Sequence, residues 1–98
     1  MSLPEEFLPY VHNLDEHTRG IYLEIPAAKV VFFQAVFEAY EGLGTVRTID
    51  IGKSLVCLVT TDTMLSDCFA ALAALKAQVP WRFSSETHDL DYLLSQVE

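Results

Sequence analysis

The side chains best suited to metal or acid–base chemistry are three histidines that lie close in sequence to carboxylates: His12, His17 and His88. Asp15 and Glu16 stand just before the second histidine, and Asp89 directly follows the third. A metal site requires three or four ligands in a fixed geometry, whereas the first two histidines lie in a short segment that contains prolines. We therefore predict solvated polar side chains at these positions, with no metal and no other cofactor.

Nucleophilic side chains are present without the neighbours that nucleophilic catalysis needs. No serine lies in the motif of a nucleophile elbow, and no glycine-rich segment is spaced to cradle a phosphate. Cys57 lies in the apolar run 55–59 and Cys68 on the apolar stripe of a predicted helix, where a thiol behaves as a small hydrophobic group. These positions predict two reduced core thiols in a cytoplasmic protein. The N-terminal residues also lack the features of a signal peptide.

The charge of the chain is strongly negative and lies mainly at its two ends. The sequence has 14 acidic and 6 basic residues, which gives a formal net charge of −8. Residues 1–19 contain four acids and one base, residues 84–98 contain four acids and no base, and the stretch between them is nearly neutral. Nucleic-acid binding requires clustered Lys and Arg, and anionic membranes repel an acidic chain. We therefore expect neither a nucleic acid nor a membrane as partner.

The first strand and the first helix follow from a change in hydrophobic periodicity. Residues 20–25 alternate strictly, with Ile21, Leu23 and Ile25 on one side, which is typical of a half-buried strand. Pro26 suits the first position of a helix, which should run to about residue 41. At about 100° per residue, the apolar face of this helix comprises Phe32, Phe33, Val36, Phe37, Ala39 and Tyr40.

Lys29 is unusual because it falls in the first turn of this helix, near the centre of the predicted apolar face. The helix dipole disfavours a cation there by about 0.3–1 kcal/mol. One interpretation is a site for an anion or carboxylate, formed by free helix N–H groups and the ammonium group. The alternative, which we favour, is a side chain that extends along the rim to reach solvent.

The rest of the chain predicts a hairpin, a second helix, a short strand and a terminal helix. Strands at 45–50 and 54–60 flank Gly52-Lys53, a two-residue turn that would pair Asp50 with Leu55 and Thr48 with Cys57. The second helix follows residues 61–63 and ends at Pro80, and residues 81–83 form the fourth strand. Residues 84–98 predict a third helix through the spacing of Leu90, Leu93, Leu94 and Val97.

The order of these elements, strand–helix–strand–strand–helix–strand, is that of the ferredoxin-like fold. This fold is an α+β sandwich in which a four-stranded antiparallel sheet carries two helices on one face. The first strand should lie next to the third through a right-handed crossover. We predict an acidic N-terminal extension at 1–19, a ferredoxin-like domain at 20–83 and a C-terminal helical extension at 84–98.

The sheet face turned away from the helices is the main predicted binding surface. In the predicted register it carries Tyr22, Glu24, Arg47, Ile49, Val56 and Leu58. Contiguous exposed apolar patches usually mark an interface or a ligand site. A second copy of the chain, a ligand or protein partner, or the chain's own ends could cover it. Glu24 and Arg47 would either pair with each other or bind the two charges of a small zwitterion.

The turn after the first helix carries a motif. From Phe37 to Asp50 the chain reads Phe-Glu-Ala-Tyr-Glu-Gly-Leu-Gly-Thr-Val-Arg-Thr-Ile-Asp. Its Glu-Gly-Leu-Gly-x-Val-Arg-Thr motif resembles a small bacterial family catalogued as a domain of unknown function. The resemblance covers roughly residues 20–78. It implies a strand, a helix that begins at a proline and ends in the Glu-Gly-Leu turn, and a further strand, and it implies no activity.

These observations predict a small cytoplasmic binding or regulatory module rather than an enzyme. We expect association with a second copy or with another protein, and a small metabolite is the alternative ligand. The second interpretation is a small enzyme, or an enzyme subunit whose site is completed by another chain, and the third is a structural adaptor. No catalytic residue is assigned. The ligand or interface candidates are Tyr22, Glu24, Lys29, Arg47, Ile49, Val56 and Leu58.

Overall fold

The computed structural model of the protein describes residues 5–40 and 43–84, so the predicted helix at 84–98 lies, except for Ser84, outside the described residues. A 3-10 helix at Glu5–Tyr10 opens the described part. Helix α1 spans Val30–Ala39 and helix α2 spans Leu65–Leu75. The strands are β1 Val11–Asn13, β2 Thr18–Glu24, β3 Thr45–Asp50, β4 Leu55–Thr61 and β5 Arg82–Phe83. The predicted α+β class, with an antiparallel sheet and two helices, is confirmed.

The strands form one antiparallel sheet in the order β1-β2-β4-β3, and β5 pairs with β2 as well. The first and third predicted strands are neighbours, as expected, because β2 pairs with β4 from Thr18 to Glu24. The sheet also contains a strand that the periodicity did not predict. Val11 of β1 lies opposite Ile21 and packs against the core. Part of the predicted N-terminal extension therefore belongs to the sheet.

The main core lies between one face of the sheet and the two helices. Ile21, Leu23 and Ile25 are at most 1% exposed and pack there as the alternation predicted. Trp81, just before β5, is in the same core, and its indole N–H donates to the carbonyl of Leu72 at 2.8 Å. This hydrogen bond allows the polar edge of the indole to be buried with the rest of the ring. Helix α2 contributes Leu65, Cys68, Phe69, Leu72 and Leu75.

The hairpin between β3 and β4 pairs Asp50 with Leu55 as predicted, but it departs from the predicted register by one residue before that pair. Thr48 lies opposite Val56 rather than Cys57, and the pairing shifts between Thr48 and Asp50. An extra residue in one strand of a pair produces such a shift. The connection is also longer than two residues, because a 3-10 turn at Ile51–Lys53 is followed by Ser54, whose φ of 57° lies in the left-handed region.

The shift places Val56 and Leu58 on the face opposite to the predicted one. Both side chains are 0% exposed and lie in the main core under the helices, because a slip of one residue exchanges the two faces of a strand. Leu55 and Cys57 lie instead on the face turned away from the helices. The assignment of Val56 and Leu58 to the open face was therefore wrong.

Helix α1 begins later than predicted. The residues after Pro26 form a 3-10 turn at Ala27–Lys29, and α-helical geometry starts at Val30. Lys29 is the N-cap residue of the α-helix and its side chain is exposed. It does not lie at the centre of a buried face, and its exposure agrees with the interpretation in which the ammonium group reaches solvent.

The buried face of α1 is narrower than predicted. Phe33 and Phe37 are the residues of this helix that are fully buried, and their ring centroids lie 4.8 Å apart. Phe32 is 44% exposed and Tyr40 is 58% exposed, although both were predicted to face the core. The helix therefore packs on the sheet through one edge of its apolar surface, and the rest of that surface faces outward.

Candidate functional site

The sheet face turned away from the helices carries a smaller apolar cluster, which we call the second sheet face. Its buried members are Tyr22, Ile49, Leu55 and Cys57, and Leu14 and Val59 pack against them. Two of the predicted site residues, Tyr22 and Ile49, lie here as expected. Tyr22, Leu55 and Cys57 are at most 1% exposed in the single chain. No second copy of the chain is needed to bury these side chains.

Tyr22, Cys57 and Arg47 form one row across three neighbouring strands. Cys57 on β4 lies opposite Tyr22 on β2 and opposite Arg47 on β3, so the three side chains share the second sheet face. The His12 ring meets the Tyr22 ring edge-on, with centroids 5.5 Å apart. Arg47 is half-buried. Two predicted candidates, a phenol and a guanidinium, therefore flank a buried thiol.

Both cysteines are free and buried, as predicted. Burial raises the pKa of Cys57 to about 12. Burial also raises the pKa of Cys68, whose thiol donates to the carbonyl of Leu43 at 2.7 Å. Because the thiolate is the reactive form of cysteine, neither thiol is activated as a nucleophile near neutral pH. Cys57 lies on the second sheet face and Cys68 in the main core, so each thiol reports on one side of the sheet.

Glu24 forms an ion pair with Arg82 rather than with Arg47. The Oε1 atom of Glu24 lies 2.7 Å from Nε and 2.6 Å from Nη2 of Arg82, which stands opposite it on β5. A cavity of about 350 Å³ adjoins this pair, and Lys53 and Ser54 also line it. Glu24 and Arg47 therefore do not converge on one ligand site.

The polar cluster around His17 forms a hydrogen-bonded turn between β1 and β2. The Oδ1 atom of Asp15 accepts from the backbone N–H of His17 at 2.9 Å and of Thr18 at 2.8 Å. The Arg19 guanidinium donates to the Asp15 carbonyl at 3.1 Å and lies 3.9 Å from the Asp62 carboxylate. Within the described residues, no group of three or more His, Cys, Asp or Glu side chains is placed to hold a metal ion.

We expect acid to loosen this turn. The hydrogen bond from the His17 N–H, followed by those from Thr18, lowers the pKa of Asp15 below its usual 3.8. The stabilisation is therefore complete above the unfolded-state pKa and is lost as pH falls through the lower folded-state pKa. An NMR titration of the Asp15 carboxyl carbon should have its midpoint below 3.8, and the exchange protection of the Thr18 amide should fall with it. In Asp15→Asn that protection should not vary over about pH 2–5, and a wild-type midpoint at or above the usual value would contradict the expectation.

The outer side of the helix layer exposes large apolar side chains, and we call it the helix-layer surface. Val31 is 76%, Phe32 44% and Tyr40 58% exposed. Gln34 and Glu38 are the polar residues of α1, so this helix is apolar on nearly every side. A helix of that kind is normally buried. Sequence reasoning missed this surface because it assigned Phe32 and Tyr40 to the core, although the near absence of polar residues in 30–39 signals a second apolar side.

A groove runs between α1 and α2 on the helix-layer surface. One part of it is a cavity of about 470 Å³ lined by Tyr40, Leu43, Met64, Asp67, Ala70 and Ala71. A second cavity of about 290 Å³ shares two of these residues and is lined by Val36, Tyr40, Ala71, Ala74, Leu75 and Gln78. Three alanines of α2, Ala70, Ala71 and Ala74, line the groove, and such small side chains allow another molecule to approach the helix closely.

The exposed charges that the structure describes on the two helices and their caps balance. The exposed charged residues of this layer, within the described part of the chain, are Lys29, Glu38, Asp67 and Lys76. Two cations therefore face two anions, although the whole chain has a formal net charge of −8. These four described charges sum to zero, so their combined long-range field is weak.

The fold and these surfaces define a small α+β protein with an antiparallel sheet, a buried second sheet face and an apolar helix layer. The chain belongs to the family described as a domain of unknown function (DUF4911), whose model matches residues 23–79. This match confirms the resemblance to such a family, and it spans both helices and the hairpin. No curated protein and no solved structure matched the chain. Among the described residues, the helices are too short or too polar to cross a membrane.

Proposed function

We propose that the chain is a self-associating binding module that acts through its helix-layer surface and is not itself an enzyme. The observation that supports this function is the exposure of Val31 and Phe32 on a helix that is apolar on nearly every side. Apolar area removed from water contributes about 25 cal/mol per Å², so burial of these side chains in an interface would contribute to the free energy of association. The exposed residues lie within the stretch that the family model matches.

The ferredoxin-like fold is the finer description that we propose for this architecture. With β1 set aside, the remaining strands stand in the order β5-β2-β4-β3. Helix α1 follows β2 and helix α2 follows β4, and both contribute to the core on one face of the sheet. The added β1 extends the β2 edge that β5 also uses. Because this fold hosts many functions, the proposed function depends on the helix-layer surface and not on the fold.

A second copy of the chain is the occupant that the charges favour. Lys29 and Lys76 balance Glu38 and Asp67 on the helix layer, whereas the excess of acids lies in residues 1–19 and 84–98. Two copies that meet through their helix layers therefore avoid placing like charges in the interface. A two-fold arrangement uses the same patch on both copies, and the alanines of α2 provide room for the exposed aromatic ring of α1.

A small zwitterionic metabolite is the second candidate, and the cavity beside Glu24 favours it. Arg82 and Lys53 could bind a ligand carboxylate there, while Glu24 bound an ammonium group. It ranks second because Glu24 and Arg82 already bind each other. Thermal stabilisation by an amino acid that Arg82→Ala abolishes would favour this candidate.

Phe32→Asp should convert the associated form into a monomer. Phe32 is 44% exposed, so its burial in an interface contributes only part of the about 1.5–3 kcal/mol of a large apolar side chain. A two-fold interface contains two such side chains, and the variant would also bury two carboxylates, so the dissociation constant should rise by at least about tenfold. Light scattering across a dilution series measures the mass. The wild-type mass should approach twice 11.0 kDa at the highest concentration, and the variant should stay at 11.0 kDa.

Leu8→Asp is the matched control for this experiment. Leu8 is 50% exposed and lies in the N-terminal 3-10 helix rather than in the helix layer. This variant should keep the wild-type dependence of mass on concentration, and both variants should keep the wild-type far-ultraviolet circular dichroism. A wild type that stays monomeric across the series contradicts the proposed function, as does a Phe32→Asp variant that associates as tightly as the wild type.

A further inference from the structure

The second sheet face is buried more completely than the described residues that pack on it account for. Tyr22 and Leu55 are 1% exposed and Cys57 is 0% exposed. In the described part of the chain, the partly buried apolar residues that pack against this cluster are Leu14 and Val59, and the latter belongs to the sheet itself. The His12 ring also lies against Tyr22, but three neighbouring strands span about 10 Å, which is more than this ring and one leucine side chain cover.

The chain leaves β5 at the edge of this face. β5 runs antiparallel to β2, and the backbone N–H of Ser84 donates to the carbonyl of Tyr22 at 2.9 Å. The next position along the β2 edge is Ile21, which Val11 of β1 already pairs. Beyond the position of Ser84, this edge of β2 is therefore already occupied by β1.

The neighbours of Ser84 show which face of the sheet lies beside the end of β5. The ring of Phe83 lies against the main core, with its centroid 5.1 Å from that of Trp81 and 6.3 Å from that of Phe69. Successive side chains of an extended chain point to opposite faces, so Ser84 points toward the second sheet face. It is 2% exposed despite its polar side chain, which places the exit point of the chain under cover.

The sequence after Ser84 is suited to cover this face. Its apolar residues fall at helical i, i+3, i+4 and i+7 spacing: Leu90, Leu93, Leu94 and Val97. A helix over 85–98 would be about 21 Å long, which is enough to cross four strands about 4.8 Å apart, whose outer two lie about 14 Å from each other. The segment has four carboxylates and no base, which complements the half-buried cation of Arg47 on the second sheet face.

We propose that residues 85–98 dock as an amphipathic helix on the second sheet face, with their apolar side chains over Tyr22 and Cys57. The sheet is then covered on both sides within one chain, and the helix-layer surface remains for partners. The inference does not rest on the proposed function, because it concerns the opposite side of the sheet. Of the possible occupants of this face, the proposal names the chain's own C-terminal segment and not a second copy.

The two cysteines provide the test, because Cys57 lies on the second sheet face and Cys68 in the main core. The full chain is labelled with N-ethylmaleimide at fixed pH, and the rate at each thiol is followed by peptide mass spectrometry. Leu93→Asp should raise the labelling rate of Cys57 at least about tenfold, because loss of one buried leucine favours local opening. The rate at Cys68 should stay within about threefold of its wild-type value.

Ser95→Asp is the matched control, because residue 95 lies about 160–200° around the predicted helix from Leu93 and Val97. It should leave both labelling rates unchanged. Leu93→Ala is a milder variant, to be used if Leu93→Asp unfolds the chain. It should likewise raise the labelling rate of Cys57 relative to that of Cys68. Equal acceleration of both thiols in Leu93→Ala overturns the proposal. A wild-type labelling rate at Cys57 that rises when the protein is diluted also overturns the proposal, because a second copy of the chain would then be what buries this face.

Discussion

Leu58→Asp is expected to leave the chain unfolded. Leu58 is 0% exposed, it stands opposite Ile21 on β2 and Val46 on β3, and all three side chains lie in the main core. A carboxylate buried there without a partner costs about 4–5 kcal/mol or more, while the total stability of a domain is typically about 5–15 kcal/mol. Circular dichroism and the dispersion of amide NMR signals at about 25 °C measure the loss of structure directly.

Val31→Asp is the control for this expectation, because it places the same charge on an aliphatic side chain that is 76% exposed. At a protein concentration where the wild type is monomeric, it should fold and melt close to the wild type, within about 0.5 kcal/mol. A Leu58→Asp variant that keeps its helix content and changes only its mass would contradict the expectation. That result would place Leu58 at an interface on the open sheet face, as the sequence alone predicted.

The position of Leu58 was not predictable because β4 is apolar on both faces. In β2 the alternation of Ile21, Tyr22, Leu23 and Glu24 sets which side faces the helices, and this prediction is confirmed. The run from Leu55 to Val59 has no such alternation. Its face depends on the register of the hairpin, and one extra residue between Thr48 and Asp50 reverses it.

The turn after β3 was not predictable for a related reason. Gly52-Lys53 matches the pattern of a two-residue hairpin turn, yet the glycine lies inside a 3-10 turn and Ser54 takes the left-handed conformation instead. Asp50 favours this arrangement, since its Oδ1 atom accepts from the Lys53 N–H at 3.2 Å. A local side-chain acceptor of this kind can override the preference of glycine.

Strand β1 was missed because it is short and because its partner determines its conformation. Val11–Asn13 has three residues, too few for a periodicity, and prolines precede it. It becomes a strand through its pairing with Arg19, Gly20 and Ile21. Helix α2, in contrast, was predictable because its apolar stripe is regular and its opposite side is largely alanine.

The candidate surfaces followed from the sequence only in part. Tyr22, Arg47 and Ile49 share the second sheet face as predicted, since each is fixed by alternation or by direct pairing. The Glu24–Arg82 ion pair was not foreseen, because it depends on β5 joining the β2 edge at that register. The helix-layer surface was not foreseen either, because hydrophobicity alone does not show which apolar side of α1 contacts the sheet.

Phe33→Ala and Phe32→Ala should separate the two apolar sides of α1. Phe33 is 0% exposed and packs against Phe37 with ring centroids 4.8 Å apart, so its truncation leaves a cavity and should lower the free energy of unfolding by about 3–5 kcal/mol. Phe32 is 44% exposed, and its truncation should cost less than about 1 kcal/mol. Urea denaturation at a protein concentration where the chain is monomeric measures both values.

For self-association, the order of the two effects should be reversed, with the larger effect in Phe32→Ala. Phe32→Ala removes an aromatic ring from the helix-layer surface and should weaken self-association, whereas Phe33→Ala leaves that surface unchanged in whatever fraction of the chain stays folded. Equal losses of stability in the two variants would mean that Phe32 also packs in the core. The apolar stripe predicted from the sequence would then be correct, and the exposed side of α1 would no longer support an interface.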